Sequence, residues 1–156
     1  MRRFLTVASV LGLIAGSAQA LEPRAGWIIH ETDKSYGALV QAVRDAAGAA
    51  PINIVTQASA SDGARMQGHS IPGNRVFGLY RNDYARRMLE ASVAAGIEAP
   101  IRLYVTEDAD GTATLSYKTP SHVFAPYAAE GGAALRDLAG ELDAVFADLV
   151  AAATAE

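Results

Sequence analysis

The chain has 156 residues, no cysteine and a formal net charge of −4. Its length fits one domain of ordinary size, which can bury a hydrophobic core without crosslinks. The lack of cysteine excludes disulfides, thiol nucleophiles and sulfur-rich metal sites. The acidic balance argues against nonspecific binding to nucleic acid or to anionic membranes, so nucleic acid is not an expected partner.

The first twenty residues have the pattern of a secretory signal peptide. Arg2 and Arg3 precede an apolar run over 4–15, and Ala18-Gln19-Ala20 forms an A-x-A cleavage site. The run is too short for a membrane-spanning helix, which needs about 20 apolar residues. We therefore expect a signal peptide over 1–20 and a mature chain that begins at Leu21.

Cleavage would leave one domain over 21–156, either periplasmic or secreted, with no stable membrane insertion. Because the segment removed holds two arginines and no acid, the net charge changes from −4 to −6. The alternatives are an uncleaved anchor or a cytosolic amphipathic start. The general secretory route is favoured, because only the arginine pair of a twin-arginine signal is present.

Hydrophobic periodicity predicts five strands in the rest of the chain. They are expected at 27–32, 52–56, 75–80, 101–106 and 112–117. The last two form a hairpin, because Asp108–Gly111 between them has the composition of a turn. Residues 57–74 have no sustained period and are expected to form a long loop or a loosely formed strand, with a turn at 71–74.

Three helices are predicted between and after these strands. Their expected ranges are 36–48, 83–96 and 132–151. Ser35 can cap the first helix and Asn82 or Asp83 the second, since their side chains can accept from exposed amides. Gly96 suits a left-handed stop of the second helix. The order β-α-β-β-α-β-β-α predicts an α+β domain with a mainly antiparallel sheet and helices packed on it.

Several segments over about 25–127 resemble the bacterial family catalogued as domain of unknown function 302. They are Val76-Phe77-Gly78, the helix 83–96, the segment 99–108, Asp110-Gly111-Thr112 and the segment 115–120. The resemblance implies a small α+β fold similar to the TATA-binding-protein topology, without implying DNA binding, and it supplies no activity. Many relatives carry an Asn-Pro or Cys-Asn-Pro step after the glycine strand. This chain has Tyr80-Arg81-Asn82-Asp83 there, so a function tied to that step does not carry over.

An anion site is one hypothesis for the start of the second predicted helix. Arg81, Asn82 and Arg86 surround that start, next to Tyr80. Unpaired amides at a helix N-terminus favour anions, and arginine adds bidentate donors for a carboxylate or a phosphate. The alternative is that Asn82 or Asp83 caps the helix while the arginines are solvated or pair with acids.

A second hypothesis concerns the irregular segment 57–74. Met66 and His69 stand there at M-x-x-H spacing, and thioether with imidazole suits copper or a haem iron. The alternative is a histidine at the surface or in a local hydrogen bond, with no metal bound. Ser70 follows His69, but the position two residues after it is Pro72, where a nucleophile elbow requires glycine.

Three functions are compatible with these patterns, and the cofactor, if any, is unknown. The first is noncatalytic binding of a small molecule, an anion included, with the 66–88 region as its rim. The second is haem or copper binding through His69, and the third is a cofactor-free enzyme. Binding is favoured over catalysis, and an exposed sheet edge or helix face is compatible with a homodimer. The candidate ligand-binding residues are His69, Ser70, Tyr80, Arg81, Asn82 and Arg86.

Aromatic side chains offer another way to bind a flat ligand. The six tyrosines, together with Trp27, are numerous enough to line a pocket. The alternative is that the tyrosines are half-buried at sheet edges with hydrated hydroxyls. Glu107, Asp108 and Asp110 are explained by the hairpin turn, because calcium-loop spacing is absent.

Overall fold

Five antiparallel strands form one sheet in the computed structural model, which describes residues 21–156. The predicted signal peptide, 1–20, lies outside the described residues. The strands are β1 (Trp27–Ser35), β2 (Asn53–Ala58), β3 (Asn74–Tyr80), β4 (Ile101–Glu107) and β5 (Thr112–Lys118). Their order across the sheet is β1-β5-β4-β3-β2. The predicted mainly antiparallel sheet and the α+β class are confirmed.

Helices connect most of the strands, and the last two helices follow β5. They are α1 (Tyr36–Ala49), α2 (Ala60–Met66), α3 (Asn82–Ala91), α4 (Pro120–Phe124) and α5 (Ala128–Thr154). Two 3-10 turns, Ala94–Glu98 and Ala125–Tyr127, follow α3 and α4. Within residues 21–156, no helix combines the length and apolar composition that a membrane crossing requires.

The core lies between one face of the sheet and the long helices. Leu103 and Leu115 are fully buried on that face, and Phe146 of α5 is fully buried against it. The rings of Tyr117 and Phe146 lie 5.6 Å apart at 40°. α5 contacts both α1 and α3, so a single apolar layer joins the three helices to the sheet.

The segment 57–74 contains a helix where the sequence predicted a loop or loose strand. Ser59 caps α2 by accepting from the amide of Asp62 at 3.1 Å. Asn74 accepts from the amide of Ala60 at 3.0 Å, so the start of β3 helps to hold the first turn. A seven-residue helix has too few turns to show a hydrophobic period, which is why the pattern failed there.

Three further predictions about helix ends need correction, while Ser35 does cap α1. The N-cap of α3 is Arg81, with no side-chain capping bond, and not Asn82 or Asp83. α3 ends at Ala91 rather than Gly96, because the Ser92 hydroxyl accepts from the amide of Ala95 at 3.1 Å and starts a 3-10 turn. Gly132, where the last helix was expected to begin, is a non-helical break inside α5.

The long helices α1 and α5 pack on the core face of the sheet, and we call the opposite face, which residues of α2 and α4 border, the open face. The strand registers place its side chains in two rows across the sheet. The first row is Trp27, Lys118, Arg102, Gly78 and Thr56, and the second is Ile29, Ser116, Tyr104, Val76 and Ala58. These rows position the candidate site.

Candidate functional site

A cavity of about 670 Å³ lies on the open face, and we call it the open-face pocket. Its floor is made by strand side chains and its end by residues before β4 and after β5. The lining includes Trp27, Ala58, Val76, Glu98, Arg102, Tyr104, Ser116, Lys118, His122, Val123 and Pro126. The pocket therefore draws on all five strands and on two connecting segments.

Differences in side-chain size make this face concave. Ser116, Val76 and Ala58 are small and lie in one row with Tyr104. The neighbouring row has the long side chain of Lys118. Short side chains beside long ones leave a depression, since successive rows of a pleated sheet stand side by side. The aromatic and apolar lining is typical of a small-molecule site.

The end wall of the pocket depends on Gly26. This residue has φ +74°, which favours glycine, and a Cβ there would lie 2.0 Å from Cγ of His122. The Gly26 carbonyl also accepts from the amide of Thr119 at 2.9 Å. Thr119 in turn caps α4 by accepting from the amide of His122. These contacts hold the His122 imidazole at the end of the pocket.

Two cations face each other across β4 and β5. Leu103 pairs with Tyr117, and continuing this register by one residue places Arg102 opposite Lys118 on the open face. Neither cation is in an ion pair with a carboxylate of residues 21–156. Lys118 Nζ lies 5.8 Å from the ring centre of Trp27, its partner on β1. This corner of the pocket is therefore positively charged and aromatic.

Ser116 is a buried polar group in the floor. Its side chain is 0% exposed, between Ile29 and Tyr104 in the same row. Its hydroxyl has no hydrogen-bond partner within residues 21–156. Leaving such a group unpaired costs about 1–3 kcal/mol, so a hydrogen-bond partner for this hydroxyl would stabilise the floor of the pocket.

Glu98 is the acidic residue of the lining, and Tyr127 engages it. The Tyr127 hydroxyl donates to Glu98 Oε1 at 2.8 Å. This hydrogen bond to the carboxylate, with burial, raises the pKa of Tyr127 above its ordinary value. The Glu98 carboxylate is thus held by the 3-10 turn after α4 and forms no ion pair with Arg102.

Comparisons with known proteins show which family the chain belongs to. A family model described as "Domain of unknown function DUF302" matches residues 28–153. The chain belongs to this family. The crystal structure of an uncharacterized conserved DUF302 protein from Bacillus stearothermophilus is similar to this DUF302 domain, with a TM-score of 0.70 and 14% identity. The likeness covers 83% of this chain and 99% of that chain and shows a shared fold. Comparison with curated proteins gave no match.

The residues predicted for an anion site surround the start of α3 in this DUF302 domain. Arg81 donates to Asp83, with Nη2 2.6 Å from Oδ2, and to the Pro51 carbonyl at 2.6 Å. Its guanidinium carbon also lies 4.0 Å from the ring centre of Tyr84. Arg86 pairs with Glu90 at 2.6 Å. Both arginines are thus occupied within the chain, and the anion hypothesis there stays a prediction.

The other predicted residues divide between two places. Tyr80, Asn82 and Arg86 line an open groove of about 410 Å³ beside α3. His69 and Ser70 lie before β3 and are exposed, at the opposite end of that strand from Arg81. A seven-residue strand spans about 20 Å, so the structure does not bring the two groups together.

The metal hypothesis depends on Met66 and His69. Met66 ends α2 with its side chain 85% exposed, and His69 is exposed. Residues 21–156 contain no group of three or more His, Cys, Asp or Glu side chains placed to hold a metal ion. Haem or copper binding through His69 stays a prediction.

Sequence reasoning identified part of the open-face pocket. Trp27, Tyr104 and Tyr117, three members of the aromatic set predicted for a flat ligand, line it together. Arg102, Lys118 and Ser116 were missed as site residues. The alternation along β4 and β5 shows that they face away from the core, but an outward polar residue is equally typical of a solvated face.

Proposed function

We propose that this DUF302 domain binds a small molecule in the open-face pocket and does not transform it. The observation that carries the proposal is the pocket itself, at about 670 Å³. Ligand sites measure about 300–1,000 Å³ and combine an apolar lining with a few placed polar groups. Trp27 and Tyr104 supply aromatic surface, while Arg102, Lys118 and the Ser116 hydroxyl supply polar groups.

The arrangement of the polar groups supports binding over catalysis. A serine nucleophile needs a base within hydrogen-bond reach, and the Ser116 hydroxyl bonds to no group of residues 21–156. His122 lies at the end wall against Gly26. The pocket lining therefore offers no nucleophile and base joined by a hydrogen bond.

Trp27 gives a direct test, because it is the only tryptophan of the chain. Anilinonaphthalene sulfonate absorbs where tryptophan emits, so binding beside Trp27 lowers its emission and raises that of the probe. We expect saturable binding to the full chain, loss of binding in Val76→Phe, which fills the floor, and retention in Val55→Phe. Val55 is 50% exposed and lies outside the lining. No binding, or equal binding by both variants, would overturn the proposal.

The noncatalytic part has a separate readout. Compounds that displace the probe are incubated with the protein and recovered for mass analysis. We expect each compound to be recovered chemically unchanged. A product that forms with the wild type and not with Val76→Phe would replace binding with catalysis in this pocket.

We also propose that the domain acts outside the cytoplasm, in the periplasm or after secretion. The charged start, apolar run and A-x-A site of residues 1–20 support this. The exported protein is expected to have a mass that begins at Leu21. A chain retaining Met1 in the membrane fraction would contradict it.

A further inference from the structure

We infer that the ligand of the open-face pocket is a flat molecule with one oxyanion group, a carboxylate, sulfonate or phosphate, held between Arg102 and Lys118. This inference rests on the proposed function and adds the chemical class of the ligand. Three features of the open face carry it: the opposed cations, the unpaired hydroxyl and the aromatic walls.

The opposed cations are the first feature. The Cβ atoms of residues directly opposite on one face of an antiparallel pair lie about 5 Å apart, and like charges on two such residues destabilise the sheet. The register places Arg102 opposite Lys118, and both lack a carboxylate partner within residues 21–156. The acidic residue of the lining, Glu98, accepts from the Tyr127 hydroxyl instead. An anion bound between the two cations would replace their repulsion with two charge-assisted contacts.

The Ser116 hydroxyl is the second feature. Ser116 precedes Lys118 by two positions on β5, so the two side chains share the open face about 7 Å apart along the strand. The hydroxyl oxygen has less than 1 Å² of exposed area and bonds to no group of residues 21–156. A ligand oxygen that displaces the neighbouring side chains on this part of the floor would satisfy it, which an apolar ligand could not do.

The aromatic walls are the third feature and favour a flat body. Trp27 pairs with Lys118 across β1 and β5, and Tyr104 pairs with Ser116 across β4 and β5. The two aromatic residues therefore flank the cationic corner from different strands. Aromatic rings stack on flat apolar surfaces, and the volume of about 670 Å³ accommodates fused rings.

The test compares two probes on one ring scaffold, anilinonaphthalene sulfonate and the uncharged N-phenylnaphthylamine, followed through Trp27 emission. The wild type is expected to bind the sulfonate more tightly. Arg102→Gln and Lys118→Gln should each weaken sulfonate binding by about tenfold, as for a lost hydrogen bond to a charged group. Binding of the uncharged probe should stay within about twofold, which also shows that the variants are folded. Arg136→Gln, which removes an exposed arginine of α5 outside the pocket lining, should leave both affinities unchanged.

Each contrary result has a distinct meaning. Equal affinities for the two probes, with no effect of Arg102→Gln or Lys118→Gln, would overturn the inference that the ligand is anionic. The proposal that the pocket binds a small molecule would be unaffected. Failure of both probes to bind would overturn the proposed function itself. A dimer that the sulfonate probe dissociates would overturn the inference by making the open face an interface between two copies of the chain.

Discussion

Gly78 lies in the middle of the sheet at a place where two other residues approach the backbone closely. A Cβ at this position would lie 2.2 Å from Thr56 Oγ1 and 2.8 Å from Cγ of Pro100. Thr56 belongs to the neighbouring strand β2, and Pro100 leads into β4 on the other side. Glycine is favoured here by the space available, because the Cβ of any larger residue would overlap the side chains of Thr56 and Pro100 unless they shift.

Replacing Gly78 with alanine should therefore destabilise the domain. The overpacked methyl group is expected to lower the free energy of unfolding by about 1–3 kcal/mol, measured by urea denaturation. Gly140→Ala is the matched control, because Gly140 lies in α5 with nothing within 4 Å of the added Cβ. That variant should gain about 0.5–1 kcal/mol from better helix propensity. Equal effects of the two substitutions would contradict the close approach at Gly78.

At the scale of elements, the start of α3 is held by an ion pair rather than by the predicted cap. Arg81 occupies the N-cap position and donates to the Asp83 carboxylate in the first turn. This hydrogen bond, opposed by partial burial, holds the pKa of Asp83 below its ordinary value of 3.8. The first turn of α3 is thus stabilised by an ionised carboxylate.

The stability of the domain should accordingly fall in acid. A carboxyl whose pKa is lowered on folding stabilises the protein above its unfolded pKa, and this contribution is lost as the pH drops through the folded value. Asp83→Asn should be less stable than the wild type near neutral pH and should lose less stability below pH 3.8. The free energy of unfolding is measured by urea denaturation across this pH range. Arg81→Gln should likewise reduce the slope of this free energy against pH. Parallel profiles for all three proteins would contradict the ion pair.

The elements differ in how far local sequence determines them. The alternation of Ile101, Leu103 and Val105 predicts β4 and its inward face, because one side of an antiparallel strand is buried. α2 was missed because seven residues are too few to show a helical period, and because part of what holds its first turn is Asn74, fourteen residues beyond the amide of Ala60. Contacts between residues so far apart leave no period in the local sequence.

At the scale of the molecule, the packing of helices on one sheet followed from the sequence. Of the candidate site, only the aromatic residues did. The sequence of strands and helices predicted one sheet with helices packed on it, since apolar faces must be buried together. The open-face pocket depends on pairings between strands far apart along the chain, such as Trp27 with Lys118. Each of these residues looks unremarkable alone, and only the register brings a ring, two cations and a hydroxyl to one corner.

The one-sided sheet also has an evolutionary consequence. Side chains such as Leu103 face the helices and maintain folding, while Arg102 and Tyr104 beside them face the pocket. Under the proposed function, substitution on the open face would change what is bound at little cost to the core. We expect DUF302 proteins to diverge in ligand preference while retaining one scaffold. The Bacillus stearothermophilus structure, with a TM-score of 0.70 at 14% identity, shows that the fold itself is shared at low identity.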